Sequence, residues 1–188
     1  VRSSLHQKAD TGIQVAAGAP DLNELDFALA ELRADLGIAL AAVRRDGLAL
    51  EFVSRALRGD RSVVLAAVRR TGRALWFALE ALQRDWEVVL AAVQQDGGAL
   101  SFASEAFQAD RRMVLTAVQQ RGHAWHAAPE ALRADRGVAL VAVRENGAVL
   151  ESFPVGLRGD KLVVLAVVQQ DKSALEGASE ALRGNREV

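Results

Sequence analysis

The sequence contains no cysteine and no tyrosine, and only 5% of its 188 residues are aromatic. Without cysteine, the chain can form neither disulfides nor thiolate metal sites. The formal net charge is −1, so the chain lacks the strong positive charge typical of proteins that act mainly on nucleic acid or an anionic membrane. The longest apolar run, from Leu162 to Val168, has seven residues, whereas a membrane-spanning helix needs about 20. We therefore expect a soluble chain, which could still sit at the periphery of a membrane complex.

The two ends of the chain differ from its centre. The opening residues, VRSSLHQK, are too short and too polar for a signal peptide. They fit either the end left after removal of a targeting peptide, as in a plastid protein, or a simple chain boundary. Gly12, Gly18 and Pro20 disfavour a helix, so we expect an extended arm over residues 1–21. Residues 185–188 repeat the opening of an earlier segment and are expected to start a truncated further unit.

Between these ends, the chain repeats itself every 25 residues. An aspartate opens each full unit, at Asp35, Asp60, Asp85, Asp110, Asp135 and Asp160. A partial, capping unit covers residues 22–34, and six full units cover residues 35–184. A fixed period of this length is typical of solenoids, in which each unit buries its apolar face by stacking on its neighbours. With helices packing about 8–10 Å apart, six units predict a superhelix about 60 Å long.

The third unit illustrates the expected local structure. The spacing of Val88, Val89 and Val93 matches one face of an α-helix. Asp85 is expected to cap this helix, because its carboxylate can accept the free N–H groups of the first turn. Gly97 is expected to end the helix in the left-handed conformation.

A second, short helix should begin near Ala99 and break at Ser104. Pro129 and Pro154 occupy the position of Ser104 in later units, and proline is disfavoured inside a helix. A separate helical turn is then expected, with a serine cap at Ser54, Ser104 and Ser179. One apolar residue in each unit should anchor that turn to the core, at Leu57, Leu82, Phe107, Leu132, Leu157 and Leu182.

The pattern thus predicts an all-α protein, a right-handed α-solenoid of about six 25-residue helix–turn–helix repeats. The main alternative is a leucine-rich repeat, since residues 63–65 or 163–165 could form a strand. The asparagine position and the alternating leucines of that repeat are missing. A globular helical bundle fits less well, because the period never slips.

The recurring pattern D-x-x-V-V-L-x-A-V-x-x-D/N-G-x-A-L-x-F-A-S/P-E-x-L-R resembles a short repeat family of protists and algae, the domain of unknown function 4116. The resemblance extends from Leu22 to the end of the chain. It implies an α-helical repeat and a eukaryotic microbial source, and it implies no chemistry. The sequence departs from the pattern at Lys172, which replaces the turn glycine, at Gly156, and throughout residues 1–21.

Trp76 and Trp86 interrupt the regular pattern. Trp76 stands where Glu51 and Ser101 occur in neighbouring units, and Trp86 stands where Arg61 occurs. Both side chains are therefore expected to point outward, and exposed tryptophans are frequent in binding hot spots. The two interpretations are contact with a partner, and local packing against the next repeat or the terminal arm.

Four arginines end the first helices of two successive units: Arg44, Arg45, Arg69 and Arg70. The simpler interpretation is a favourable interaction with the negative end of each helix dipole. The functional interpretation is a basic ridge for an acidic partner, because residues 35–84 carry nine basic and five acidic side chains, against four and six over 85–134. Helical repeats that read RNA need a continuous basic groove, and glutamine replaces arginine after two units. Nucleic acid is therefore the weaker hypothesis.

His123 and His126 lie three residues apart in the fourth unit. Surface histidines are the simpler interpretation, and a pigment or metal ligand pair is the alternative. Trp125, at the position of Leu100, is expected in the core. The opening aspartates of adjacent units should lie about 10 Å apart, too far to share a calcium ion, whose oxygen ligands lie at about 2.3–2.6 Å. No metal and no cofactor are expected.

The sequence carries no catalytic signature, since it lacks a cysteine nucleophile, a G-x-S-x-G motif, a phosphate loop and an acid–base pair placed by the repeat. We expect no enzymatic activity and favour a scaffold or linker that contacts other proteins within a larger assembly. The suggested algal source points to an organellar assembly such as a photosystem–antenna complex. The alternatives are a nucleic-acid-binding repeat that uses the arginine ridge, and a regulatory array belonging to a larger enzyme.

Overall fold

A computed structural model describes residues 29–169 of the chain. Each complete unit contains a ten-residue α-helix, a six-residue 3₁₀ helix and a four-residue α-helix, called here the long helix, the 3₁₀ helix and the short helix. Unit 1 covers residues 35–59, and each following unit starts 25 residues later, as far as unit 6 at Asp160. The predicted arm, most of the partial unit, the rest of unit 6 and the truncated unit at 185–188 lie outside the described residues.

The described residues are almost entirely helical. The long helices are Leu36–Arg45, Arg61–Arg70, Trp86–Gln95, Arg111–Gln120, Arg136–Glu145 and, in unit 6, Lys161–Val168. The 3₁₀ helices are Gly47–Phe52, Gly72–Phe77, Gly97–Phe102, Gly122–Ala127 and Gly147–Ser152. The short helices are Arg55–Arg58, Glu80–Gln83, Glu105–Gln108, Glu130–Arg133 and Val155–Arg158. Residues 29–34 are also helical, and no strand occurs over 29–169. The predicted all-α repeat is confirmed, and the leucine-rich alternative is wrong because residues 63–65 lie inside a long helix.

The units stack to form two parallel rows. Each long helix contacts the long helix of the next unit, and the 3₁₀ helices of units 1 to 4 contact one another in succession. The core lies between the rows, where Val88, Val93 and Leu100 of unit 3 are fully buried, like their equivalents in units 2, 4 and 5. No polar or charged residue over 29–169 is buried in this core. The stacking is therefore held by apolar contacts, which are roughly proportional to the area removed from water.

An aspartate caps every long helix, as predicted. The Asp85 carboxylate accepts hydrogen bonds from the backbone N–H groups of Glu87 and Val88, each at 3.0 Å. The equivalent aspartates of units 1, 2, 4, 5 and 6 cap their own helices in the same way. Since the first N–H groups of a helix have no partner within it, each cap satisfies donors that would otherwise be unpaired.

The same carboxylates also join neighbouring units. Arg61 Nε lies 3.1 Å from the second carboxylate oxygen of Asp85, and Arg111 Nε lies 3.1 Å from that of Asp135. Arg136 pairs with Asp160 in the same way. One aspartate therefore uses one oxygen within its own unit and the other to bind the preceding unit.

The glycine that follows each long helix has a different role from the one predicted. No glycine over residues 29–169 has a positive φ, so the predicted left-handed conformation at Gly97 is wrong. The long helix ends at Gln95 and is followed by Asp96, whose backbone is extended at φ −145°. A Cβ atom on Gly97 would lie 2.1 Å from the carbonyl oxygen of Ala117, in the long helix of unit 4. Glycine is needed there because the backbones of successive units approach too closely for any side chain.

The second helical segment also differs from the prediction. It is a 3₁₀ helix that starts at Gly97, and the chain becomes extended at Ala103 before the short helix begins. The predicted break near Ser104 is confirmed. Ser54 caps its short helix by accepting from Leu57 N–H, but Ser104 makes no such bond. Ser179 lies outside the described residues.

The predicted anchors of the short helices are confirmed. Leu82 and Leu157 are buried, and three further residues of this set pack partly buried against the core, Leu57, Phe107 and Leu132. Leu182 lies outside the described residues. A glutamine adds a polar attachment: Gln83 Nε2 and Gln108 Nε2 donate to the carbonyl groups that end the 3₁₀ helices of their own units.

Replacing Gly97 by alanine should destabilise the array by about 1–3 kcal/mol, because the new methyl group would overlap the backbone of the next unit. Chemical unfolding followed by circular dichroism measures the loss. Gly156→Ala is the matched control, because a Cβ there meets nothing within 4 Å and alanine favours the short helix that contains it. Equal stabilities of the two variants would contradict the close-approach explanation.

The capping aspartates predict a loss of stability in acid. The backbone N–H of Val88 is the main cause that lowers the pKa of Asp85 below its ordinary 3.8, and hydrogen bonding from Arg111 lowers the pKa of Asp135. Asp60 and Asp160 are shifted in the same direction. A lowered pKa stabilises the fold above the pKa of the unfolded chain, and this contribution is lost as pH falls through the lower, folded value.

Urea unfolding between about pH 7 and about pH 3 should therefore show stability falling once the pH drops below about 4. Asp135→Asn keeps a capping oxygen but cannot titrate, so its stability should fall less steeply over the same range. Stability that rises towards about pH 3 would contradict this account.

Candidate partner-binding surface

The outer face of the 3₁₀ row carries a cluster of aromatic side chains in units 1 to 3. Trp76 is 62% exposed, as predicted, and its ring meets that of Phe102 in the next unit edge to face, with centroids 5.4 Å apart. Phe52, in unit 1, is 66% exposed. Phe77 occupies the same repeat position as Phe52 and Phe102, whereas Ala127 takes it in unit 4. The phenylalanine at this repeat position is therefore lost after unit 3.

Three of these residues, Trp76, Phe77 and Phe102, line an open pocket of about 340 Å³ together with Leu48 and Arg73, and it is named here the aromatic pocket. Three successive units contribute to it. Arg73 and Trp76 are three residues apart in one 3₁₀ helix, where side chains at that spacing lie one above the other. An arginine and a tryptophan are thereby placed side by side at the surface.

Sequence reasoning selected Trp76 but missed the other four residues of the aromatic pocket. The available signal was the phenylalanine shared by units 1 to 3, at Phe52, Phe77 and Phe102. Because the pocket forms only where units stack, no single unit displays it.

Trp86 is half-exposed and lies elsewhere, at the first position of the long helix of unit 3. Its ring packs edge to face against Phe107 of the same unit, with centroids 5.6 Å apart. Trp86 occupies the position from which Arg61 and Arg111 reach the aspartate of the following unit. The structure therefore separates the two tryptophans, and it gives Trp86 an intramolecular packing contact.

The arginines of the basic ridge divide between two settings. Arg70 Nε donates to the carbonyl oxygen of Arg45 at 3.3 Å, which satisfies a C-terminal carbonyl of the preceding long helix. Arg44 and Arg69 are exposed and line a groove between long helices, together with Leu40 and Leu65. In the next groove Arg69 is joined by Glu87, Leu90 and Gln94, so the pair of neighbouring arginines is not repeated there.

The two histidines stack in parallel at the surface. The rings of His123 and His126 lie 6.3 Å apart with an interplanar angle of 10°, and His126 also stacks on Trp125. His123 Nε2 lies 2.9 Å from the amide nitrogen of Asn146 in the next unit. Partial burial, and then the charges of His123 and Arg133, lower the pKa of His126. Trp125 is buried, as predicted, at 2% exposure.

Residues 29–169 contain neither a metal-binding cluster nor a membrane-spanning helix. No group of three or more His, Asp or Glu side chains lies close enough to hold a metal ion. No helix in this part of the chain is both long enough and apolar enough to cross a membrane.

The fold and surface define an all-α solenoid of short stacked repeats. Sequence comparison matches it to the family described as Domain of unknown function (DUF4116), over residues 35–83, 85–133 and 110–158. The matches cover more than half of the chain, and the protein belongs to this family. No curated protein and no solved structure shows significant similarity to it.

The position of Trp86 leads to a stability prediction. Trp86→Arg would lose the contact with Phe107, worth about 0.5–1.5 kcal/mol, but could form the missing ion pair with Asp110, worth about 0.2–1 kcal/mol. We expect a net loss below about 1 kcal/mol in thermal unfolding. Trp86→Gln, which cannot form the pair, should be less stable at low salt than Trp86→Arg. Identical stabilities would show that no bridge forms at this junction.

Proposed function

We propose that this protein is a non-enzymatic helical repeat scaffold that binds other proteins through the outer face of its 3₁₀ row. The observation that carries this proposal is the exposed aromatic cluster of units 1 to 3. Trp76 is 62% exposed and lines the aromatic pocket with Leu48, Phe77 and Phe102, and Phe52 on the neighbouring unit is 66% exposed. Contiguous exposed apolar patches of this kind mark interaction sites.

The rest of the repeat supports a binding role. Its recurring residues are used in capping, in close approach between backbones and in the core, so variation between units falls on the outer positions. Arg73, Gly98 and His123 occupy one such position, and Trp76 and His126 share another. A rigid array with variable outer residues is suited to presenting a specific surface.

We further propose which kind of assembly the scaffold belongs to. The resemblance to a repeat family of algae and protists favours partners that are subunits of a large organellar complex, with a photosystem–antenna assembly as one example. Affinity purification from the source organism, with mass spectrometry of the bound proteins, identifies the assembly.

The variant for this purification is Phe52→Ala with Trp76→Ala, because both side chains are exposed and their removal should leave the fold intact. We expect the partners of the wild-type chain to be lost or reduced about tenfold or more, the effect of removing a hot spot. Val155→Ala, in the short helix of unit 5, removes a side chain that is 69% exposed and is the matched control. Trp86→Ala tests the other tryptophan and should retain the partners.

An unchanged set of partners in the double variant would rule out the aromatic cluster as the binding surface. Retention of RNA at low salt, abolished by Arg44→Gln with Arg69→Gln, would instead favour the nucleic-acid alternative.

A further inference from the structure

We propose that the aromatic pocket binds a segment of a partner protein in which a large apolar side chain lies next to an aspartate or glutamate. This inference rests on the proposed scaffold function and names the chemistry that the surface recognises. The apolar side chain packs against the pocket faces of Trp76 and Phe102, which already touch each other edge to face, and Arg73 binds the neighbouring carboxylate.

The size and lining of the pocket favour side chains of a protein over a larger ligand. Its volume of about 340 Å³ is at the lower end of the range of about 300–1,000 Å³ for ligand sites. Four of its five lining residues are apolar, and three of these are aromatic. Aromatic side chains prefer edge-to-face and offset contacts, and Trp76 and Phe102 already adopt the first of these. One further aromatic or branched side chain would extend this arrangement.

Arg73 supplies the charge. Its side chain is exposed, and within residues 29–169 it forms no ion pair and no hydrogen bond. By contrast, Arg61, Arg111 and Arg136 are paired with carboxylates of neighbouring units. A guanidinium beside apolar walls binds a carboxylate well, because two N–H groups can donate to its two oxygens and a bound segment would exclude water from the contact.

The surroundings of Arg73 favour a single carboxylate over a polyanion. Leu48 and Gly98 occupy its repeat position in the adjacent units, so the positive charge is not continued along the row. Glu51 occupies the position of Trp76 in unit 1 and is exposed. Unit 1 therefore contributes a negative charge to this row, not a second positive one. A nucleic acid or an anionic membrane would require several basic residues in line.

A displayed library of random twelve-residue peptides, selected on the complete chain, tests the proposal. Peptides released by competition with the wild-type chain but not with Trp76→Ala are those that use the aromatic pocket. We expect them to share an aromatic residue or leucine within two positions of an aspartate or glutamate.

One enriched peptide is then synthesised with an amidated C-terminus, and its affinity is measured by fluorescence anisotropy. Arg73→Gln should weaken binding by about threefold to tenfold at low salt and by less at high salt. Arg55→Gln, which removes an exposed arginine from the short helix of unit 1, is the matched control and should bind normally. A peptide with lysine in place of the acid should bind Arg73→Glu better than it binds the wild-type chain.

The possible results separate this inference from the proposed function. Peptides that require Trp76 but carry no acid, or that bind Arg73→Gln as tightly as wild type, would overturn the carboxylate inference and leave the aromatic surface intact. Enriched peptides that bind only with a free C-terminus would replace the acidic side chain by a terminal carboxylate. Peptides insensitive to the loss of Trp76, or the absence of any enrichment, would overturn the pocket itself.

Discussion

The close approach of backbones between successive units is the constraint on which the array depends. In units 1 to 4 the glycine at the start of the 3₁₀ helix lies against a carbonyl of the next long helix, as Gly72 does against Ala92 and Gly97 against Ala117. This contact brings the two rows near enough for short apolar side chains to fill the space between them. A core built largely from alanine, valine and leucine can therefore be fully buried in a unit of only 25 residues.

The capping aspartates of units 3, 5 and 6 help to fix the position of each of these units relative to the preceding one. Because Asp85 is held by its own first turn and also pairs with Arg61 of the preceding unit, a shift of one unit against the next would keep the cap but break the ion pair. Such exposed ion pairs contribute little energy individually. Their effect here is geometric, since they fix where one long helix begins relative to its neighbour. Units 1 and 3 lack this link to the unit that follows, because Leu36 and Trp86 occupy the arginine position, and Trp86 packs against Phe107 of its own unit instead.

The sequence predicted features that depend on few neighbouring residues better than features that depend on stacking. The aspartate caps could be foreseen because donor and acceptor lie within three residues of each other. The 25-residue period and the burial of Trp125 followed from aligning the units. The role of Gly97 could not be foreseen, because its partner, Ala117, lies in another unit and a left-handed turn requires the same residue type. The aromatic pocket was found only in part, since Trp76 stands out in an alignment whereas Leu48 and Phe102 join it only in space.

The exposed positions of the 3₁₀ helices have a consequence for how such a family can diversify. Arg73, Gly98, His123 and Ala148 occupy equivalent sites on a nearly constant backbone, and none of them contributes to the core. Each site can change identity at little cost to folding, while its place on the surface is fixed by the repeat. Duplication of a unit followed by substitution at these sites would therefore create a new surface without a new fold, and the order of units along the chain would set the order of side chains on that surface.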